Sequence, residues 1–122
     1  MSGFDLGDFE RRLREAALAF PETTEDHPWS ETAYKVRGKA FVFLHAKPDG
    51  LSFTVKLPAS RDFACMFDFA APAGYGLGRS GWITCQLDAA SEADPDLLLR
   101  WVAESWRAVA PKRLAAMMPE AK

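Results

Sequence analysis

The chain has 122 residues, 48% of them hydrophobic and 12% aromatic, with a net charge of −2. That composition suits a single packed domain spanning residues 1–122 and excludes a disordered chain, while two domains of about 60 residues each would be marginal. Its longest apolar runs, such as Ala40–Leu44, fall far short of the roughly 20 residues needed to span a bilayer.

The amino-terminal stretch "MSGFDLGDFERRLREA" is acidic and mixed, without an apolar signal core, which predicts a soluble cytoplasmic protein. The first predicted element is a helix from about Asp8 to Ala19. Phe9, Leu13, Ala16, Ala17 and Phe20 recur at three- and four-residue steps and make one apolar face. Asp5 is the expected N-cap, with the acid Asp8 three residues on, and Pro21 ends the helix. "PETTEDHPWSET" then reads as a loop.

Three strand-like runs follow. "TAYKVRG" alternates Tyr34 and Val36 with Lys35 and Arg37. "AFVFLHA" is apolar on both phases, as a strand covered on both faces would be. "LSFTVKL" puts Leu51, Phe53, Val55 and Leu57 on one face and Ser52, Thr54 and Lys56 on the other. Arg37-Gly38-Lys39 and "KPDG" supply tight turns, so the three strands form an antiparallel meander.

"PASRDFACMFDF" predicts a short helix with Phe63, Met66 and Phe67 facing inward. The loop after it contains Gly76-Leu77-Gly78-Arg79-Ser80-Gly81, the G-x-G-x-x-G spacing of a dinucleotide fingerprint. That fingerprint needs a helix behind it, whose amides hold the pyrophosphate. Here "WITCQLD" follows, a fourth strand alternating Ile83, Cys85 and Leu87 with Trp82, Thr84 and Gln86. No nucleotide cofactor is therefore expected, and Arg79 is left as a contact for a nucleic-acid phosphate. The last main helix runs from Pro95 to Ala110 with Asp94 as N-cap. Trp101 and Trp106 stand about 140° apart on it, so one is expected at an edge or cleft. Pro111 breaks the helix and "KRLAAMM" adds a final turn. This order predicts an α+β fold, a sheet of about four antiparallel strands with the amino-terminal, middle and carboxy-terminal helices on one face.

Charge is segregated along the chain. Residues 1–32 carry −5, 33–61 carry +5, 62–96 carry −5 and 97–122 carry +3. The positive block coincides with the strands. Lys35, Arg37, Lys39, Lys56, Arg79 and Trp82, with Lys112 and Arg113 as flankers, are the candidate nucleic-acid contacts, on a basic face bearing an aromatic residue. So few cations imply weak, salt-dependent binding to double-stranded DNA. The alternative is a protein- or small-molecule-binding module with an aromatic cleft of Trp29, Tyr34 and Trp82.

Other candidates are weaker. His27 lies beside Glu25 and Asp26, but the spacing fits no zinc pattern. A hydroxyl–imidazole–acid set from Ser30 and His27 lacks a nucleophile-elbow motif. His45 reads as structural. No catalytic residue, metal or cofactor is assigned. Cys65 and Cys85 match no metal or redox spacing and are expected to be buried thiols.

"EDHPWSETAYKVRGKAFVFL", "LSFTVKL", "YGLGRSGWITCQLD" and "ESWRAVAPKRLAA" follow one another in the order and spacing of the MmcQ/YjbR-like family of small bacterial proteins, which the chain resembles from about Leu13 to Ala116. The resemblance implies a compact α+β fold with a curved antiparallel sheet. It also implies DNA binding, by likeness to double-wing folds whose hairpins approach the duplex, and no catalytic activity.

Overall fold

The structure, a computed structural model, describes residues 4–27, 31–74 and 80–117. Helix α1 (Leu6–Ala19) begins just after Asp5, whose carboxylate accepts the Asp8 amide at 3.0 Å and caps the first turn. It buries Phe9, Leu13 and Ala17.

The segment expected to be loop contains strand β1 (Thr23–Asp26), antiparallel to β2 (Thr32–Val36). β1 is an edge strand whose residues alternate half-buried and exposed, so no apolar run betrays it. A two-residue turn joins β2 to β3 (Lys39–Lys47), with φ of +50° at Arg37 and +83° at Gly38. These are type I′ values, which match the strand twist and favour glycine at the second position.

β3 carries a bulge: Tyr34 opposes Val42, but Lys35 opposes Ala40, leaving Phe41 as the extra residue. Phe41 and Val42 are both fully buried. The bulge thus accounts for part of the two-phase apolar pattern that suggested cover on both faces.

β4 (Gly50–Lys56) pairs with β3 on one side and β6 (Trp82–Leu87) on the other. Between β4 and β6 come the single-turn α2 (Arg61–Ala64) and the edge strand β5 (Ala70–Pro72). The sheet order is β1-β2-β3-β4-β6-β5, antiparallel throughout, so there are six strands and not four. β5 has three residues and ends in proline, too short for any alternation to register. At Gly50 a Cβ would lie 2.7 Å from the Leu87 carbonyl oxygen, so this approach of β4 to the end of β6 requires glycine.

α3 (Pro95–Val109) is capped by Asp94, which accepts the Asp96 amide at 3.0 Å, and α4 (Lys112–Ala115) packs on α3. Helices α1 and α3 cover the face of the sheet that carries Phe53: the Phe9 ring meets Phe53 edge-on at 5.6 Å, and α3 lies against β3 and β4. Ser105 fixes that docking, because its hydroxyl accepts the Lys56 amide at 2.8 Å and donates to the Phe41 carbonyl.

Both tryptophans of α3 are buried, which corrects the expectation that one would lie at an edge. Trp106 stacks on Phe20 at 5.4 Å, and Trp101 meets Phe67 at 6.0 Å. The helix is covered along two flanks, by the end of α1 and by the segment after α2. The middle helix is shorter than expected. Phe63 and Met66, expected inside, are 49% and 79% exposed, because one helical turn can bury only Ala64 and hand the chain on to Phe67.

Candidate nucleic-acid interface

Strand alternation builds the candidate surface. In β3, β4 and β6 the inward positions are apolar; those of β3 and β4 face α1 and α3, and α2 lies against β6. The outward positions are Phe43, His45 and Lys47 on β3, Ser52, Thr54 and Lys56 on β4, and Trp82, Thr84 and Gln86 on β6. None of these nine is a carboxylate, in a chain holding 17 acids. Phe43 and Trp82 meet across β4, ring centroids 5.8 Å apart and planes inclined by 50°. Trp82 is the cross-strand partner of Lys56. The Thr54 and Thr84 hydroxyls bond to each other at 2.9 Å, and Lys47 Nζ donates to Gln86 Oε1 at 2.8 Å. A depression of about 470 Å³ adjoins this face, lined by Phe69, Ala71, Pro72, Thr84 and Gln86 and, at its margin, by the acid Asp68.

The candidate cations divide. Lys56 stands on this face and has no ion pair among the described residues. Lys35 also points outward but donates to Asp26 Oδ2 at 2.8 Å, a bond that holds the Asp26 carboxyl below its usual range with help from the His27 amide. Arg37 forms a fork with Glu22, its Nε 2.6 Å from Oε1 and its Nη2 3.1 Å from Oε2, which lowers the Glu22 pKa. Glu22 sits at φ +56°, so this clamp also secures an uncommon backbone conformation. Lys39 is exposed at the hairpin, in register with the inward-facing Val36.

Lys112 and Arg113, expected as flankers, belong to the helical layer because α4 packs on α3. Arg79 lies outside the described residues. Gly81 leads directly into β6, so the glycine motif is followed by a strand, as its flanking sequence predicted.

The aromatic cleft is corrected. Tyr34 is 2% exposed on the helix-covered face, whereas Trp82 stands on the opposite one; strand alternation separates them, and Trp29 lies outside the described residues. Burial, with Glu25 adding, pushes the Tyr34 phenol up to about 12.

Near Tyr34, His27 Nε2 is 2.8 Å from Glu25 Oε2, and Thr32 Oγ1 is 3.3 Å from His27 Nδ1. This has the connectivity of a relay, but Arg14 Nε already bonds the other Glu25 oxygen at 2.8 Å, so the group ties α1 to β1 and β2. Glu25 and Asp26 point to opposite faces and cannot act as paired ligands. Among the described residues no group of three His, Cys, Asp or Glu could hold a metal ion. Cys85 is buried as expected, but Cys65 is exposed, a correction that follows from the brevity of α2.

Sequence reasoning missed Phe43 and Lys47. Phe43 lies inside a run apolar on both phases, and Lys47 opens the turn sequence "KPDG". The outward phase of β3, read in register with β4, marks both.

No described helix is long and apolar enough to cross a membrane. No functionally curated protein matches the chain. The crystal structure of Deinococcus radiodurans protein DR2400, which carries a DUF419 domain, is similar in fold. It has a TM-score of 0.65 and 22% identity, over 82% of this chain and 77% of that one. The YjbR family model matches residues 18–108, which hold the whole sheet and nearly all of α3 but only the end of α1, and the chain belongs to the YjbR family.

Proposed function

We propose that the protein binds nucleic acid by laying the outward face of β3, β4 and β6 against a phosphate backbone. One observation carries this reading: nine contiguous outward positions hold Lys47, Lys56 and two aromatic rings but no carboxylate, while the chain as a whole is acidic. A chance surface of this protein would present acids among its cations. The face therefore offers a local positive potential against a net negative molecule, which is what a polyanion requires.

The family supports a binding role of this kind. The fork between Arg37 and Glu22 turns the argument away from the hairpin and toward the sheet. The aromatic-cleft alternative is weakened by Tyr34, which is buried on the face of the sheet opposite Trp82.

Two lysines reaching phosphates give a log–log salt slope of about −2 on duplex DNA, so binding is weak and vanishes at moderate salt. The test is an anisotropy titration of labelled DNA across a salt series, with the wild type and a Lys47→Glu/Lys56→Glu variant. Binding at low salt with that slope, lost in the variant, is the expected result. Affinity that is absent at low salt, or that survives the double reversal, refutes the reading.

A further inference from the structure

We infer that the nucleic acid this face accepts is single-stranded, with a base stacked on the Phe43–Trp82 pair; the inference rests on the nucleic-acid reading above.

The breadth of the surface comes first. Six strands spaced about 4.8 Å apart make a sheet about 24 Å wide. The major groove, about 12 Å across, admits a helix or a two-stranded ribbon but not a sheet of this breadth. Against a duplex the face could only lie on the outside, where Phe43 and Trp82 would meet sugar and phosphate. A single strand turns its bases outward and can offer them to the rings while its phosphates reach Lys47 and Lys56.

The ring geometry agrees. Trp106 and Phe20 stack at 16°, so those rings cover each other's faces within the core. Phe43 and Trp82 are inclined by 50° on the outward face, and rings so inclined do not cover one another flat. A π surface is left for a third aromatic partner. Beside them one hydroxyl of the Thr54–Thr84 pair donates to the other. The second proton stays free for a base edge or phosphate oxygen. Stacking tolerates any base, so little sequence preference follows.

The test compares a labelled mixed-sequence single strand with the duplex of the same sequence, at one low salt concentration, using the full chain. The expected result is single-strand affinity about tenfold above duplex affinity, the size of one base-stacking contact. Trp82→Leu, which keeps apolar bulk but removes the π face, should cost about tenfold on the single strand and little on the duplex. Trp82→Phe should retain most of the affinity. Circular dichroism checks that each variant is folded, and Phe43→Leu provides the same comparison should Trp82→Leu unfold.

Duplex bound as tightly as the single strand overturns the inference and leaves nucleic-acid binding standing. No binding to either overturns both. Single-strand affinity abolished by Lys56→Glu but untouched by Trp82→Leu and Phe43→Leu overturns stacking alone.

Discussion

On strands β3, β4 and β6 the inward positions Val42, Leu44, Leu51, Phe53, Val55, Ile83, Cys85 and Leu87 are all 3% exposed or less, while Ala46, near the end of β3, opens to solvent. The outward positions on the same backbone carry two lysines, three hydroxyls, a glutamine, a histidine and two aromatic rings. One face is filled by α1 and α3; on the other, among the described residues, no helix packs, and Phe43 has the inclined ring of Trp82 beside it. The difference separates what holds the fold from what is free to bind. Substitutions on the inner face should change stability, and those on the outer face should change binding.

The largest expected effect tests that division directly. Phe53 is fully buried and in edge contact with Phe9, so Phe53→Ala removes contacts on both sides and should cost about 3–5 kcal/mol. Its neighbour Thr54, on the opposite face, gives up one half-buried hydroxyl contact when changed to Ala, at about 1 kcal/mol. Urea denaturation of the two variants measures both. Equal losses would mean that the outer face is packed like the inner one and is no docking surface.

A second, smaller effect appears at high pH and belongs to the inner face alone. Burial, with Cys65 adding, pushes the Cys85 thiol from 9.0 up to about 12, and burial pushes Tyr34 from 10.0 up to about 12. Both folded values lie above the unfolded ones, so the folded chain holds these protons more tightly. Their contribution is complete below about pH 9 and is lost as pH rises toward 12. The melting midpoint should fall across that window, and Cys85→Ala should delay the start of the fall. The exposed Cys65 offers a contrast, since it should react with a thiol reagent in the folded protein while Cys85 does not.

How much of this was legible in the sequence follows from the same alternation. The inward set of β4 and β6 and the caps at Asp5 and Asp94 were readable, because period-two apolar runs and N-cap carboxylates are local signals. β1 and β5 were not, since short polar or proline-ended edge strands are fixed by pairing and not by their own pattern. The candidate surface was half legible. Lys56 and Trp82 follow from alternation alone. Phe43 does not, because the bulge at Phe41 puts two adjacent apolar residues on the inner side and blurs the phase of β3. The pairing of Arg37 with Glu22 and of Lys35 with Asp26 is out of reach of the sequence, as Asp26 belongs to edge strand β1 and Glu22 to the turn that leads into it, and neither has a pattern of its own.

That pairing supplies the smallest predicted effect. Lys35 lies on the outer face, but its charge is spent on Asp26 across β1 and β2. Asp26→Asn keeps the shape of the side chain and releases the ammonium. Exposed ion pairs contribute little, so the melting midpoint should hardly move. Binding should gain instead: one more cation available to the polyanion steepens the log–log salt slope by about 0.7 on a single strand. Affinity at low salt should rise by a few-fold, and Lys35→Ala in the same background should cancel the gain. An unchanged slope would show that the bound strand stays over β3, β4 and β6 and does not reach β2. The binding surface would then be narrowed to the nine acid-free positions.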